Sequence, residues 1–285
     1  MNSIKKMMLS GALGCLISGM AYADGSSPQP VKPYWQDIQV VAVNKEKPRS
    51  SFMSYADRET ALTSRFEKSP YYSLLNGTWK FFFVDSYKDL PQNITDPSVN
   101  TSSWDDITVP GNWEVQGHGV AIYTNHGYEF KPRNPQPPLL PEANPVGVYR
   151  RDIEIPANWD NRDIYLHIGG AKSGLYVYLN GKEVGYSEDS KNPAEFLINK
   201  YLQPGKNVLT LKIFRWSTGS YLECQDFWRM SGIERDVFLW SQPKASIQDF
   251  RVVSTLDDTY TNGIFKLAVD LKNHTQETKN LNVGY

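Results

Sequence analysis

The sequence predicts an all-β protein built as a two-sheet sandwich, on three observations. From Leu74 onward, short runs rich in Val, Ile, Tyr, Phe and Trp follow one another. Turn signals such as Asn76-Gly77 and Asn180-Gly181 separate them. Aromatic residues make up 13% of the chain, with 8 Trp and 17 Tyr, enough apolar area to fill a core between sheets.

Ahead of the sandwich, residues 1–23 read as a secretory signal. Lys5 and Lys6 precede an apolar run from Met7 to Met20, and small residues at Ala21 and Ala23 place cleavage after Ala23. The run is short for a bilayer-spanning helix, and the order Ala12-Leu13-Gly14 before Cys15 does not favour lipid attachment, so export to the periplasm or beyond the cell is expected. Removal of Cys15 would leave Cys224 as the sole thiol, with no intrachain disulfide. Residues 24–70 are Pro-rich and polar and are expected to form an extended arm along a domain. One short helix near Asp57–Phe66 would place Ala61, Leu62 and Phe66 on a shared face.

Strands are then expected at Trp79–Val84, Asp106–Val109, Val146–Ile155, Asp163–Ile168, Gly174–Leu179, Lys182–Ser187, Glu195–Ile198, Asn207–Phe214 and Ile233–Ser241. Asn180-Gly181 accommodates the positive φ angles of a tight turn, so Leu175–Ser187 reads as a hairpin. Tyr123–Pro145 is proline-rich with Asn125, Asn134 and Asn144, and cannot sustain a hydrogen-bonded ladder; it reads as a long, ordered binding loop. After Pro243, strands at Ile247–Ser254, Gly263–Asn273 and Leu281–Gly284 would begin an immunoglobulin-like sandwich left incomplete at Tyr285, the second strand aligning Phe265, Leu267, Val269 and Leu271. The domains are therefore drawn at 71–242 and 243–285.

Formal net charge is −1, with no basic stripe, which argues against nucleic acid or an anionic membrane as partner and suits a neutral ligand. No metal cluster, P-loop, dinucleotide fingerprint or nucleophile elbow is present. His118, His126, His167 and His274 are scattered and read as structural. Acidic neighbours disfavour a thiolate at Cys224. Glu183, Glu188 and Asp189 flank the hairpin and read as a solvated face.

Several long motifs nevertheless occur in a distinctive order: Leu75-Asn76-Gly77-Thr78-Trp79, Val109-Pro110-Gly111-Asn112-Trp113-Glu114, Ile122-Tyr123-Thr124-Asn125, Asn144-Pro145-Val146-Gly147, and Arg215-Trp216-Ser217 through Ser231-Gly232-Ile233. From about Trp35 onward the chain resembles the amino-terminal sugar-binding domain of glycoside hydrolase family 2, among the large bacterial β-galactosidases. The resemblance implies a jelly-roll first domain, an immunoglobulin-like second domain and two catalytic glutamates in a later (β/α)8 barrel. No catalytic residue is therefore assigned in this chain, and the piece alone is expected to be inactive. The implied reaction is retaining hydrolysis of terminal non-reducing β-D-galactose residues, with a β-galactoside as partner and sodium and magnesium as cofactors of the complete enzyme.

Two substrate-binding positions follow from the resemblance. Asn134, in Arg133-Asn134-Pro135, matches a substrate-binding asparagine whose amide both donates and accepts. Asp226, in Gln225-Asp226-Phe227-Trp228-Arg229, matches an aspartate that contacts sugar and helps hold a monovalent metal cation. Trp228, Arg229, Glu223 and Trp216 read as supports, Glu142 and Asn144 as loop-structuring residues. The rival readings are a β-glucuronidase or β-mannosidase on the same architecture, and a free-standing carbohydrate-binding module; a homo-oligomer is open to the complete enzyme.

Overall fold

The computed structural model describes residues 32–130 and 134–284; the expected signal segment and Cys15 lie outside them. Two antiparallel sheets form a sandwich. The larger has seven strands in the order Ala42–Val43, Lys182–Ser187, Gly174–Leu179, Lys206–Phe214, Val146–Glu154, Gly77–Val84 and Asp105–Val109. The smaller runs Ala194–Leu197, Arg162–Ile168, Val237–Pro243 and Tyr72–Leu74. Side chains alternate across each strand, so Leu209, Leu211 and Ile213 of one sheet and Ile164, Leu166 and Ile168 of the other enter one shared core. The hairpin turns at Asn180 (φ 53°) and Gly181 (φ 76°), as that dipeptide predicts.

Both outer faces are covered, and one segment reaches each of them. Trp35, 1% exposed, stacks on Phe214 over the larger sheet, 5.0 Å between ring centroids. Ala42–Val43 then pairs with the edge strand Lys182–Ser187. Gly185 permits that approach: a Cβ there would lie 2.3 Å from the Val43 carbonyl oxygen. Further on, Met53 packs with Tyr165, Phe238 and Trp240 outside the smaller sheet. Arg49 fastens this stretch with a two-pronged ion pair to Glu195, 2.9 Å on each nitrogen. Glu195 also meets His167 Nδ1 at 2.8 Å and accepts from Trp240 Nε1 at 3.1 Å.

The structure corrects four expectations. The helix is confined to Arg58–Leu62 behind an Asp57 cap, and Leu62 is 74% exposed, so the proposed shared face is absent. The strand expected at Ile233–Ser241 is split into Gly232–Ile233 and Val237–Pro243. Beyond the sandwich, Ala245–Leu256 and Gly263–Asn273 form a two-stranded ribbon, and Leu281–Gly284 is not a strand. Glu188 is not solvated: it is 4% exposed and accepts from Tyr186 Oη, Thr218 Oγ1 and the Gly219 amide at 2.6–2.8 Å.

Candidate functional site

One end of the sandwich gathers the segments that the sequence singled out. Ile122–Thr124 and Phe227–Arg229 pair as a short antiparallel ribbon, with Trp228 opposite Tyr123. Alternation turns Arg229 inward to 1% exposure, where its guanidinium donates to the carbonyls of Glu223 (2.6 Å) and Thr124 (3.4 Å). Asp226 and Trp228 turn outward. Asp226 is exposed, and its Oδ1 accepts the Tyr123 hydroxyl at 2.9 Å. No ion pair joins it to Arg229 or Arg235 among the described residues.

Beneath this ribbon lies a buried charge cluster. Lys172 Nζ donates to Glu129 Oε1 at 3.1 Å, with the two side chains 1% and 5% exposed. Arg215 reaches Glu129 at 3.8 Å and Glu114 at 3.7 Å, too far for direct hydrogen bonds, so charge alone joins these groups. Arg215 Nη2 donates to the carbonyls of Val120, two residues ahead of one strand of the ribbon, and of Arg229, the last residue of the other. Burial raises the Glu114 carboxyl above its ordinary pKa, against the opposing Ser231 amide bond and Arg215 charge. Burial likewise raises Glu223, which accepts from the Ser190 amide and hydroxyl at 3.0 and 2.7 Å.

The long loop is held at both ends. Near its start, Tyr128 and Phe130 stack and pack edgewise on Tyr221. At its end, Asn144 is buried and exchanges two hydrogen bonds with the Trp216 backbone, 2.8 and 3.0 Å. Asn134 stands on the exposed span between, and its side chain hydrogen-bonds to none of the described residues. Glu142 meets Lys88 at the surface. The sequence reading passed over Glu129 and Lys172 and named Arg215 only as the first residue of a motif; the signal for Glu129 is an acidic residue inside an otherwise aromatic loop entry.

The donors present suit the two expected cations unequally. Asp226 offers hard oxygen for one side of a sodium ion, the remaining ligands having to come from elsewhere. No group of three or more His, Cys, Asp or Glu side chains suited to a metal ion occurs among the described residues, so these residues do not assemble a side-chain site for magnesium. The Cys224 thiol donates to the Ser220 carbonyl, and burial raises its pKa, which disfavours a thiolate there.

Similarity to known proteins identifies the family. Residues 72–243 match the model for glycosyl hydrolases family 2, sugar binding domain. A β-galactosidase of Priestia megaterium is 40% identical over 245 residues, covering 85% of this chain and 24% of that protein. Another, from Actinobacillus pleuropneumoniae, is 40% identical over 225 residues, 79% of this chain and 22% of that protein. The chain thus spans about a quarter of the length of these relatives. Among solved structures, a β-glucuronidase from Ruminococcus gnavus superposes with a TM-score of 0.54 at 21% identity, over 70% of this chain and 33% of that one. A β-glycosidase from Bacteroides vulgatus gives 0.53 at 22%, over 72% and 25%. These two likenesses concern the fold alone. By sequence, fold and the match across its sandwich, the chain belongs to glycosyl hydrolases family 2 and carries that family's sugar-binding domain.

Proposed function

We propose that this chain is the substrate-contacting amino-terminal part of an exported β-galactosidase that hydrolyses terminal β-D-galactosides with retention. The observation that carries the reading is an exposed carboxylate, Asp226, on a sugar-binding domain whose relatives at 40% identity are β-galactosidases. Its oxygens suit sugar hydroxyls, and Asn134 on the neighbouring loop adds an amide that both donates and accepts. Retention requires two carboxyl groups about 5–5.5 Å apart across the scissile bond. The family resemblance implies that this pair lies in a part of the enzyme beyond this chain; the engagement of Glu129 and Glu195 in ion pairs and of Glu188 and Glu223 in hydrogen bonds supports that reading. Sodium would rest against Asp226, where a cation beside the sugar offsets the carboxylate charge.

The direct test is hydrolysis of a chromogenic β-galactoside by this chain and by the same chain extended through its native downstream sequence, with sodium and magnesium supplied. Activity confined to the extended form is expected, and Asp226→Ala in that form should lower kcat/KM and blunt the response to sodium. Hydrolysis by the chain alone, or an indifferent Asp226→Ala enzyme, would overturn these assignments.

A further inference from the structure

Trp228 is 54% exposed, whereas every other tryptophan of the chain is buried, Trp216 being the most open of them at 9%. An indole and a phenol standing together in solvent, with Tyr123 also 54% exposed, form the kind of uncovered apolar surface that marks a binding face. The two rings lie directly across the ribbon, 5.6 Å between centroids and inclined by 56°. Tyr123 continues to Asp226 through its hydroxyl, so two rings and one carboxylate make a single surface. Asp226 stands at the bend immediately before the strand that carries Trp228, two residues from it along the chain.

The charge on this surface is one-sided. Arg229 points into the protein, Lys172 is buried against Glu129, and Lys191, paired with Glu234, lies over Phe227 rather than over these two rings, so among the described residues the charge in contact with them is the Asp226 carboxylate. Hydroxyl groups can donate to it. In this chain by itself, which supplies only one side of a sodium site and so leaves the Asp226 charge uncompensated, a uronate carboxylate would be repelled by it.

Building on the galactoside reading above, we propose that Tyr123 and Trp228 form an aromatic shelf for a neutral pyranose ring of the substrate. The ring lies with its C–H face on the indole while Asp226 accepts from a hydroxyl on the ring edge. The shelf thereby selects neutral sugars over uronic acids, a specificity held by this chain rather than by the catalytic part.

The test uses this chain with 15N-labelled tryptophan, its indole N–H resonances followed by NMR during titration with methyl β-D-galactoside to the solubility limit. The Trp228 resonance, identified by its loss in Trp228→Phe, is expected to move while those of the buried indoles stay in place. Asp226→Ala should weaken the response about tenfold, one charge-assisted hydrogen bond, and methyl β-D-glucuronide should leave the indole unmoved. An unmoved Trp228 resonance with galactoside overturns the shelf. Equal shifts with galactoside and glucuronide overturn its selectivity. Hydrolysis by the extended enzyme distinguishes the two claims: galactosidase activity with a silent indole removes the shelf and leaves the enzyme reading, while a galactoside-shifted indole without activity does the reverse.

Discussion

Two long non-repetitive segments lie against the same sandwich, and they are fastened in different ways. The arm stretch around Arg49 ends on Glu195, whose oxygens meet an arginine on two prongs, a histidine and an indole N–H. The loop entry at Glu129 ends on one direct bond from Lys172 and a longer-range attraction to Arg215; Glu129 Oε2, Glu114 Oε1 and Arg215 Nε are buried without a hydrogen-bond partner among the described residues. A fully satisfied polar cluster rigidifies what it holds, whereas an incompletely satisfied one carries the desolvation cost of its unpaired groups. The contrast teaches that the arm is locked by a fully hydrogen-bonded ion cluster, whereas the loop entry is held by a cluster that leaves three buried polar atoms without hydrogen-bond partners among the described residues.

The largest expected effects come from breaking the two anchors. Glu195→Ala strands a buried guanidinium and should lower unfolding free energy in urea by about 3–5 kcal/mol. Glu129→Ala strands the buried Lys172 ammonium and should cost a similar amount, about 3–5 kcal/mol; a loss well below that range in either variant would show that its ion pair does not anchor its segment.

Titration should separate the regions by sign. Burial pushes the Glu195 carboxyl up, but the hydrogen bonds and charges of His167 and Arg49 outweigh it and leave the folded pKa below the ordinary 4.5. Its stabilising contribution is therefore complete above that value and lost as pH falls through the folded pKa. Glu114 is raised above 4.5 by burial, so its contribution is complete below 4.5 and lost as pH rises through its folded pKa. In urea melts across acidic pH, the stability gap between wild type and Glu195→Gln should narrow on acidification, while Glu114→Gln should gain on wild type as pH rises. Matching trends in both variants would show that the anchors share one electrostatic character. The smallest effect belongs to the surface pair Lys88–Glu142: Lys88→Ala should leave the unfolding midpoint unchanged.

Features fixed by neighbours along the chain were legible in the sequence. The hairpin 174–187 follows from Asn180-Gly181, and the Gly174–Leu179 and Lys182–Ser187 boundaries agree with their alternation. Features fixed by distant partners were not. Glu188 reads as a solvated acid beside a turn until Thr218 and Gly219 arrive from another strand connection. Two-residue pairings such as Ala42–Val43 and Gly111–Asn112 leave no periodicity to detect. Ile233 and Val237 looked like one strand because apolar residues bracket Glu234-Arg235-Asp236, a charged interruption that deserved more weight. At the site, the exposure of Asp226 accords with its charge, whereas the outward turn of Trp228 depends on pairing with Tyr123, which sequence alone does not reveal.

The two-residue pairing of Ala42–Val43 with Lys182–Ser187 has a consequence for solubility. Without it, the longer strand would offer unpaired amides and carbonyls at the rim of a seven-stranded sheet, a template on which another molecule could add itself. The arm acts there as a terminator, two residues long, and a cut between Val43 and Arg49 would free that rim for self-association.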